Sequence, residues 1–331
     1  MKKISIKSKA LIINKIKSKF KGQIQNFYIG ELKLNEILVK LNYSSINYKD
    51  ILVCNGLFWG CRNYPLVPGI DGSGIVIKSK SKKFKKGDSV AIIASDAGSK
   101  IPGCFSNYIK IKDIWVNKLT DKLSRKNAMI FGTAGFTAMS IVNQIQKTKR
   151  KKSILITGAS GGVGLFSTFI LSKLGHNVTA VTRKDKNYLL KNGAQKVILL
   201  KDLKDNTNLP LQKTLYDICV DNIGGNTLDY ILKRITNNGT IYSVGFTNNN
   251  SKSSINLMPF ILRRTKLIGV HTESLKITER MKIWKSIQAF IKKFGINKNL
   301  YKKIKLTKLP YYIKNFDNLK KRGRFLIIID K

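Results

Sequence analysis

Residues 154–164, ILITGASGGVG, run an apolar stretch straight into four glycines, Gly158, Gly161, Gly162 and Gly164. A short apolar run, then glycines, then a helical pattern leaves few folds open. Glycine permits a tight turn and lets the backbone approach a ligand closely. A helix that begins there presents unpaired N–H groups and the positive end of its dipole. The pyrophosphate of a dinucleotide fits that arrangement. The spacing is G-x-x-G-x-x-G, not the strict G-x-G-x-x-G, and a bare αβ turn is the competing reading. No G-K-[ST] follows, so a Walker-type loop is excluded.

The flanks favour the dinucleotide. KSILITG (152–158) predicts a buried strand, GGVGLFSTFILSKLG (161–175) a helix stopped by Gly175, and HNVTAVTR (176–183) a second strand. KNYLLKNGAQKVIL (186–199) predicts a helix, a stop at Gly193 and a third strand, and YDICVDNIGG (216–225) and GTIYSVGF (239–246) add two more. This β-α-β alternation predicts an α/β fold with a doubly wound parallel sheet of the Rossmann kind. Upstream, EILVKLNY (36–43), PGIDGSGIVIK (68–78) and KKGDSVAII (85–93) predict a β-rich domain. DKLSRKNAMIFGTAGFTAMSIVNQIQK (121–147) predicts a helix with Ser124 as its cap. Downstream, KLIGVHT (266–272) predicts a strand, TERMKIWKSIQAFIKKF (278–294) an amphipathic helix and GRFLIIID (323–330) a closing strand. The expected domains are 1–122, the β-rich domain; 123–254, the nucleotide-binding domain; and 255–331, a return to the first. The Asn/Ser/Lys stretch 247–254 reads as a linker.

Cofactor choice is set at the end of the second strand. A carboxylate there holds the ribose 2′-OH of NAD. This chain has AVTRKDK, with Thr182, Arg183 and Lys184 and no carboxylate ahead of Arg183. A guanidinium suits a 2′-phosphate, so the sequence predicts NADPH.

The formal net charge is +44, from 62 Lys and Arg against 18 Asp and Glu. A basic face for nucleic acid or membrane is one reading. The other is compositional drift, because the lysines are scattered from end to end and Ile and Asn are abundant with them. Drift is the preferred reading, and the charge would still steer an anionic substrate inward. Cys54, Cys61, Cys104 and Cys219 show neither zinc-ligand nor thioredoxin-like spacing, and His176 and His271 are the only histidines. No metal site is expected. No apolar run approaches a bilayer-spanning length, and the lysine-broken start lacks a signal-peptide core. The expected location is the cytoplasm.

Seven stretches, SSINYKD (44–50), PLVPGIDGSG (65–74), GTAGFTAM (132–139), TGASGGVG (157–164), DNIGG (221–225), MPFILRR (258–264) and GRFLIIID (323–330), together resemble the medium-chain dehydrogenase/reductase superfamily. More narrowly they resemble its zinc-free, quinone-oxidoreductase-like acrylyl-CoA reductase group. The resemblance spans nearly the whole chain. It implies a GroES-like catalytic domain, a Rossmann domain and a homodimer. Zinc-dependent cousins carry a Cys, a G-H-E motif and another Cys as metal ligands; here Ile70 stands where that His would be, and Asn47 and Tyr48 fall near the first Cys. The resemblance implies that Tyr48 lies at the cofactor, and it makes Tyr48, with Asn47 supporting it, the candidate catalytic pair beside the nicotinamide. It carries Ser160, Gly161, Gly162 and Val163 to the pyrophosphate, and Thr182, Arg183 and Lys184 to the 2′-phosphate. It carries Lys201, Phe246, Ile261, Thr272 and Asn318 to further cofactor contacts. His271 replaces a family Asp, and IPGCFSNY (101–108) keeps only Gly103 of a family loop near the substrate. Asp50 and Asp71 read as turn caps or partners of lysines.

Three functions compete. The first is NADPH-dependent reduction of the C=C bond of an α,β-unsaturated acyl thioester such as acrylyl-CoA, by hydride transfer to the β-carbon. The second is a quinone or small-enone reductase. The third is nucleic-acid binding on a reductase scaffold, which the scattered lysines and intact glycine loop disfavour. Water or a side chain could supply the α-proton.

Overall fold

The computed structural model describes residues 6–61, 63–146, 150–183, 186–203, 209–246, 251–316, 319 and 323–329. The chain forms two compact units, one from residues 1–133 and 301–331, the other from Ala134–Leu300.

The first unit opens on a hairpin the sequence reading did not contain: β1 (Ile6–Ile16) and β2 (Lys19–Ile29), antiparallel. Lysines punctuate both strands, yet Leu11 and Ile13 are buried, and the hairpin is tied down by backbone bonds from Leu11 to Phe105 and between Ile13 and Leu66. Then follow β3 (Glu36–Ser45), helix α1 (Tyr48–Cys54), β4 (Gly72–Ser79), β5 (Ser89–Ile92), β6 (Tyr108–Lys112) and β7 (Val116–Lys118). Helix α2 (Arg125–Ile145) starts where predicted: the Ser124 hydroxyl accepts the Asn127 N–H at 3.2 Å. It is interrupted at Gly132, whose φ of +51° and ψ of −159° are not helical. The helix is long and apolar enough to cross a bilayer by length and composition, an exception to the expectation of no such run. It is mostly buried, and burial on nearly all sides accounts for its apolar composition.

The second unit contains β8 (Ser153–Ile156), α3 (Gly162–Lys173), β9 (Asn177–Thr182), α4 (Lys186–Lys191), β10 (Lys196–Leu199), β11 (Tyr216–Asp221), α5 (Asn226–Leu232), β12 (Ile235–Ser243), α6 (Met258–Arg263), β13 (Lys266–Gly269) and α7 (Ile277–Phe294). Its six strands are all parallel in the order β10-β9-β8-β11-β12-β13, the doubly wound arrangement expected. Gly175 and Gly193 end α3 and α4 with φ of +88° and +104°. At Gly175 the His176 N–H reaches the Leu171 carbonyl and the Gly175 N–H that of Ser172, which satisfies two of the last free carbonyls of the helix.

The chain then returns to the first unit with β14 (Tyr301–Lys305), α8 (Leu309–Lys314) and β15 (Arg324–Ile328). The large sheet runs β14-β15-β3-β4-β5-β7, with β6 also paired to β3. Its core gathers Leu11, Ile13, Ile37, Val39, Phe105, Phe325 and Ile327. The return thus comes at Tyr301, not at 255: β13 pairs with β12, and the stretch 255–300 belongs to the second unit. A strand of four residues gave no local sign of which sheet would take it.

Candidate functional site

In the second unit the strand order reverses between β8 and β11, and both carboxyl ends there carry loops that the sequence singled out. After β8, Gly158 adopts a φ of +56°, and the Gly161 N–H closes a turn onto the Gly158 carbonyl at 2.9 Å. A Cβ at Gly164 would sit 2.5 Å from that carbonyl oxygen, so glycine lets α3 start directly against the turn. Gly161 is exposed, and Gly162 and Val163 open α3. Their N–H groups belong to the first turn, which has no intrahelical partners.

The loop after β11 braces this turn. Buried Asp221 accepts the Thr157 hydroxyl at 2.6 Å and the N–H groups of Ile223 and Gly224. Asn222 donates its backbone N–H to the Thr157 hydroxyl and its side-chain amide to the Thr157 carbonyl. Burial raises the Asp221 carboxyl, and the Thr157 hydroxyl pulls it back down. Neither Thr157 nor Asp221 was singled out from sequence; both look like ordinary strand ends until the fold sets them side by side.

Thr182 ends β9, buried, with its hydroxyl 3.4 Å from that of Ser160. Arg183 follows it and is exposed. The structure therefore brings Ser160, Gly161, Gly162, Val163, Thr182 and Arg183 to one edge of the sheet. Lys201 follows β10 and Phe246 follows β12, both exposed at the carboxyl ends of their strands. Thr272 lies beyond β13, buried, its hydroxyl 3.5 Å from that of Thr137. Ile261 is set apart. It is 67 % exposed on α6, whose Arg263 binds the carbonyls of Lys233 and Ile235 at the amino end of β12. Lys184 and Asn318 lie outside the described residues. The open turn, the first N–H groups of α3 and an exposed guanidinium at the end of β9 fit a dinucleotide carrying a 2′-phosphate.

The first unit holds a buried polar cluster around the start of α1. Asp71 and Arg324, almost wholly buried, pair at 3.1 Å. Asp71 also accepts the Ser45 hydroxyl at 2.7 Å, the Asn47 amide at 2.8 Å, and the N–H and hydroxyl of Thr133 at 3.0 and 2.6 Å. Arg324 donates to Ser45 at 2.6 Å and to the Asn47 Oδ1 at 2.9 Å. Burial lowers the Arg324 guanidinium, while Asp71 and Asp50 support its charge. Asp50 accepts the N–H groups of Asn47 and Ile70 at 2.7 and 2.9 Å. Burial pushes its carboxyl up to about 7, against the two N–H donors that lower it. Asp50 thus caps α1, and the partner of Asp71 is an arginine, not a lysine. Both polar ends of the Asn47 side chain are spent inside this cluster. Tyr48, the first residue of α1, is 43 % exposed and makes no side-chain hydrogen bond among the described residues. Among the described residues no three of His, Cys, Asp and Glu gather as a metal-binding group.

Residues 33–121 match the alcohol dehydrogenase GroES-like domain family and residues 162–289 the zinc-binding dehydrogenase family. The putative quinone oxidoreductase YhfP of Bacillus subtilis is 32 % identical over 302 residues, 90 % of this chain and 91 % of that protein. The chain belongs to the zinc-free, quinone-oxidoreductase-like group of the medium-chain dehydrogenase/reductase superfamily. As a member of that group it is an oxidoreductase. The acrylyl-CoA reductase AcuI of Ruegeria pomeroyi shares 32 % identity with it over 84 % of this chain and 86 % of its own length. Two solved structures of the group superpose closely. The YhdH oxidoreductase of Salmonella enterica, in complex with NADP, has a TM-score of 0.87 at 29 % identity, over 97 % of this chain and 100 % of its own. Bacillus subtilis YhfP with NAD bound has a TM-score of 0.88 at 29 % identity, over 98 % and 99 %.

Proposed function

We propose that this group member uses NADPH to reduce the C=C bond of an α,β-unsaturated acyl thioester of the acrylyl-CoA type. One observation carries the reading: a glycine turn open at the strand-order reversal, flanked at the end of β9 by Arg183 where an NAD site needs a carboxylate. The first N–H groups of α3 would hold the pyrophosphate, and Arg183 the 2′-phosphate. NADPH held there would supply a hydride for the β-carbon. The negative charge that would develop on the thioester oxygen calls for a hydrogen-bond donor, and Tyr48, exposed and without a hydrogen bond of its own among the described residues, is the candidate. A proton from water completes the α-carbon. The 32 % identity to the Ruegeria acrylyl-CoA reductase supports the thioester, and the net charge of +44 favours a polyanionic CoA ester.

The test is NADPH oxidation with acrylyl-CoA, followed by absorbance, with NADH as the control. Turnover with NADPH and acrylyl-CoA is the expected result; NADPH binding without oxidation of the thioester hands the reading to quinones and small enones, which the 32 % identity to YhfP supports. Arg183→Ala should weaken NADPH binding about 10- to 100-fold, the worth of a charge-assisted hydrogen bond, and leave NADH binding nearly unchanged.

We propose further that the protein is a cytoplasmic homodimer. Four free, buried cysteines suit a reducing compartment. Among the described residues β13 is an edge strand with one side unpaired, and Leu267 on it and Leu257, Ile261 and Leu262 nearby in sequence are exposed. Light scattering should give twice the chain mass of 37.3 kDa.

A further inference from the structure

We propose that the turn after α1 is an apolar wedge that docks the first unit on an anionic lipid bilayer. The proposal does not depend on which acceptor the enzyme reduces. Leu57 and Trp59 stand out from this turn, 69 % and 84 % exposed. Their base is fixed, so the two side chains are held outward. The Leu57 N–H donates to the Leu52 carbonyl at 2.8 Å. The Cys61 N–H closes a four-residue turn onto the Phe58 carbonyl at 3.0 Å, with Trp59 and Gly60 at its centre. Phe58, between the two exposed residues, packs against buried Val53, Cys61 and Leu66. Gly56 adopts a φ of +69°, and a Cβ there would collide with the Phe20 ring of β2, which meets Tyr64 edge-on at 4.9 Å.

The surroundings are basic. The Lys49 ammonium lies 4.9 Å from the centre of the Phe58 ring. On the hairpin, exposed Lys15 is the cross-strand neighbour of Phe20, and exposed Lys19 and Lys21 flank Phe20 in β2. Residues 6–29 and 51–64 contain no Asp or Glu, so no carboxylate of these segments offsets the lysines. Compositional drift scatters lysines over the chain, but it does not set an exposed tryptophan and leucine among them. The patch is too small for a stable protein partner, which needs about 800 Å² on each side. A single-stranded nucleic acid would stack on Trp59 and gain little from Leu57. A bilayer requires no shape match. Tryptophan and leucine enter its interface, while lysines stay at the headgroups and are drawn to anionic lipid.

The experiment is co-sedimentation of the whole chain with phosphatidylcholine vesicles, with and without phosphatidylglycerol, at about 0.15 M salt. Tryptophan emission and the thermal midpoint are recorded on the same samples. The wild type should bind the anionic vesicles and its emission should shift to the blue. Equal retention on pure phosphatidylcholine overturns the anionic assignment. Leu57→Ser combined with Trp59→Ala should bind on the order of tenfold more weakly at an unchanged thermal midpoint. Equal binding by the wild type and this double variant overturns the proposal, because net charge alone would then hold the protein to the lipid. Trp59→Phe keeps an apolar tip and should abolish the emission shift, since Trp284 is buried and Trp115 half-buried. That readout stands even if the double variant loses stability, and a shift that persists in Trp59→Phe sinks the wedge. Emission quenched by a single-stranded oligonucleotide, with the vesicles left unbound, hands the turn to nucleic acid instead. A double variant of half the wild-type mass by light scattering hands it to a second copy of the chain.

Discussion

Single glycines in this protein separate backbone need from ligand need. Gly132 has a φ of +51° and faces the Asp71–Arg324 pair, so Gly132→Ala should cost about 3 kcal/mol or more in a denaturant melt. Gly164 has ordinary helical placement, but a Cβ there meets the Gly158 carbonyl oxygen at 2.5 Å. Gly164→Ala should push the turn open and lower NADPH affinity more than it lowers stability. Asp50 gives a pH signature. Burial pushes its folded carboxyl up to about 7 from an ordinary 3.8, so between those values the folded state holds a proton that the unfolded chain has released. The stability this contributes is full below the lower value and is lost progressively as pH rises to the upper one. Asp50→Asn stays neutral and should lack that fall; parallel slopes for wild type and variant across the window would refute it.

At the level of elements, helix ends and strand order divide what the sequence displayed from what it hid. A Cβ at Gly175 meets nothing within 4 Å, so Gly175→Ala should cost only the left-handed backbone, about 1 kcal/mol, with NADPH binding intact. That contrasts with Gly164→Ala in the same helix. The parallel sheet was legible because each of its first strands is a short apolar run closed by glycine or a helical pattern. The β1–β2 hairpin was not, because Lys7, Lys9, Lys15, Lys19 and Lys21 fall on exposed positions and mask the buried Leu11 and Ile13. Of the site, the glycine turn and Arg183 could be read from local pattern. Arg324 could not: it is one cation among 62, and Asn47, which it grips, is 277 positions away. Long-range pairing of that kind leaves no periodicity to find.

For the molecule as a whole, charge and chain path have separate consequences. A net charge of +44 should make kcat/KM for an acyl-CoA fall steeply with added salt and that for an uncharged quinone hardly at all. Equal salt dependence would show that the surface does no steering. The path bears on how the protein is made. Residues 134–300 form one continuous unit, whereas the other unit needs both 1–133 and 301–331. Strand β15 lies between β14 and β3, and Leu326, Ile327 and Ile328 cover the edge formed by Ser45, Ser44 and Tyr43. On the ribosome, then, the nucleotide-binding unit can close while the first unit still waits for its inner strand, with the β3 edge bare and Asp71 lacking its arginine. Translation pausing or early termination near residue 320 would release a chain with a finished cofactor turn and an open, association-prone sheet.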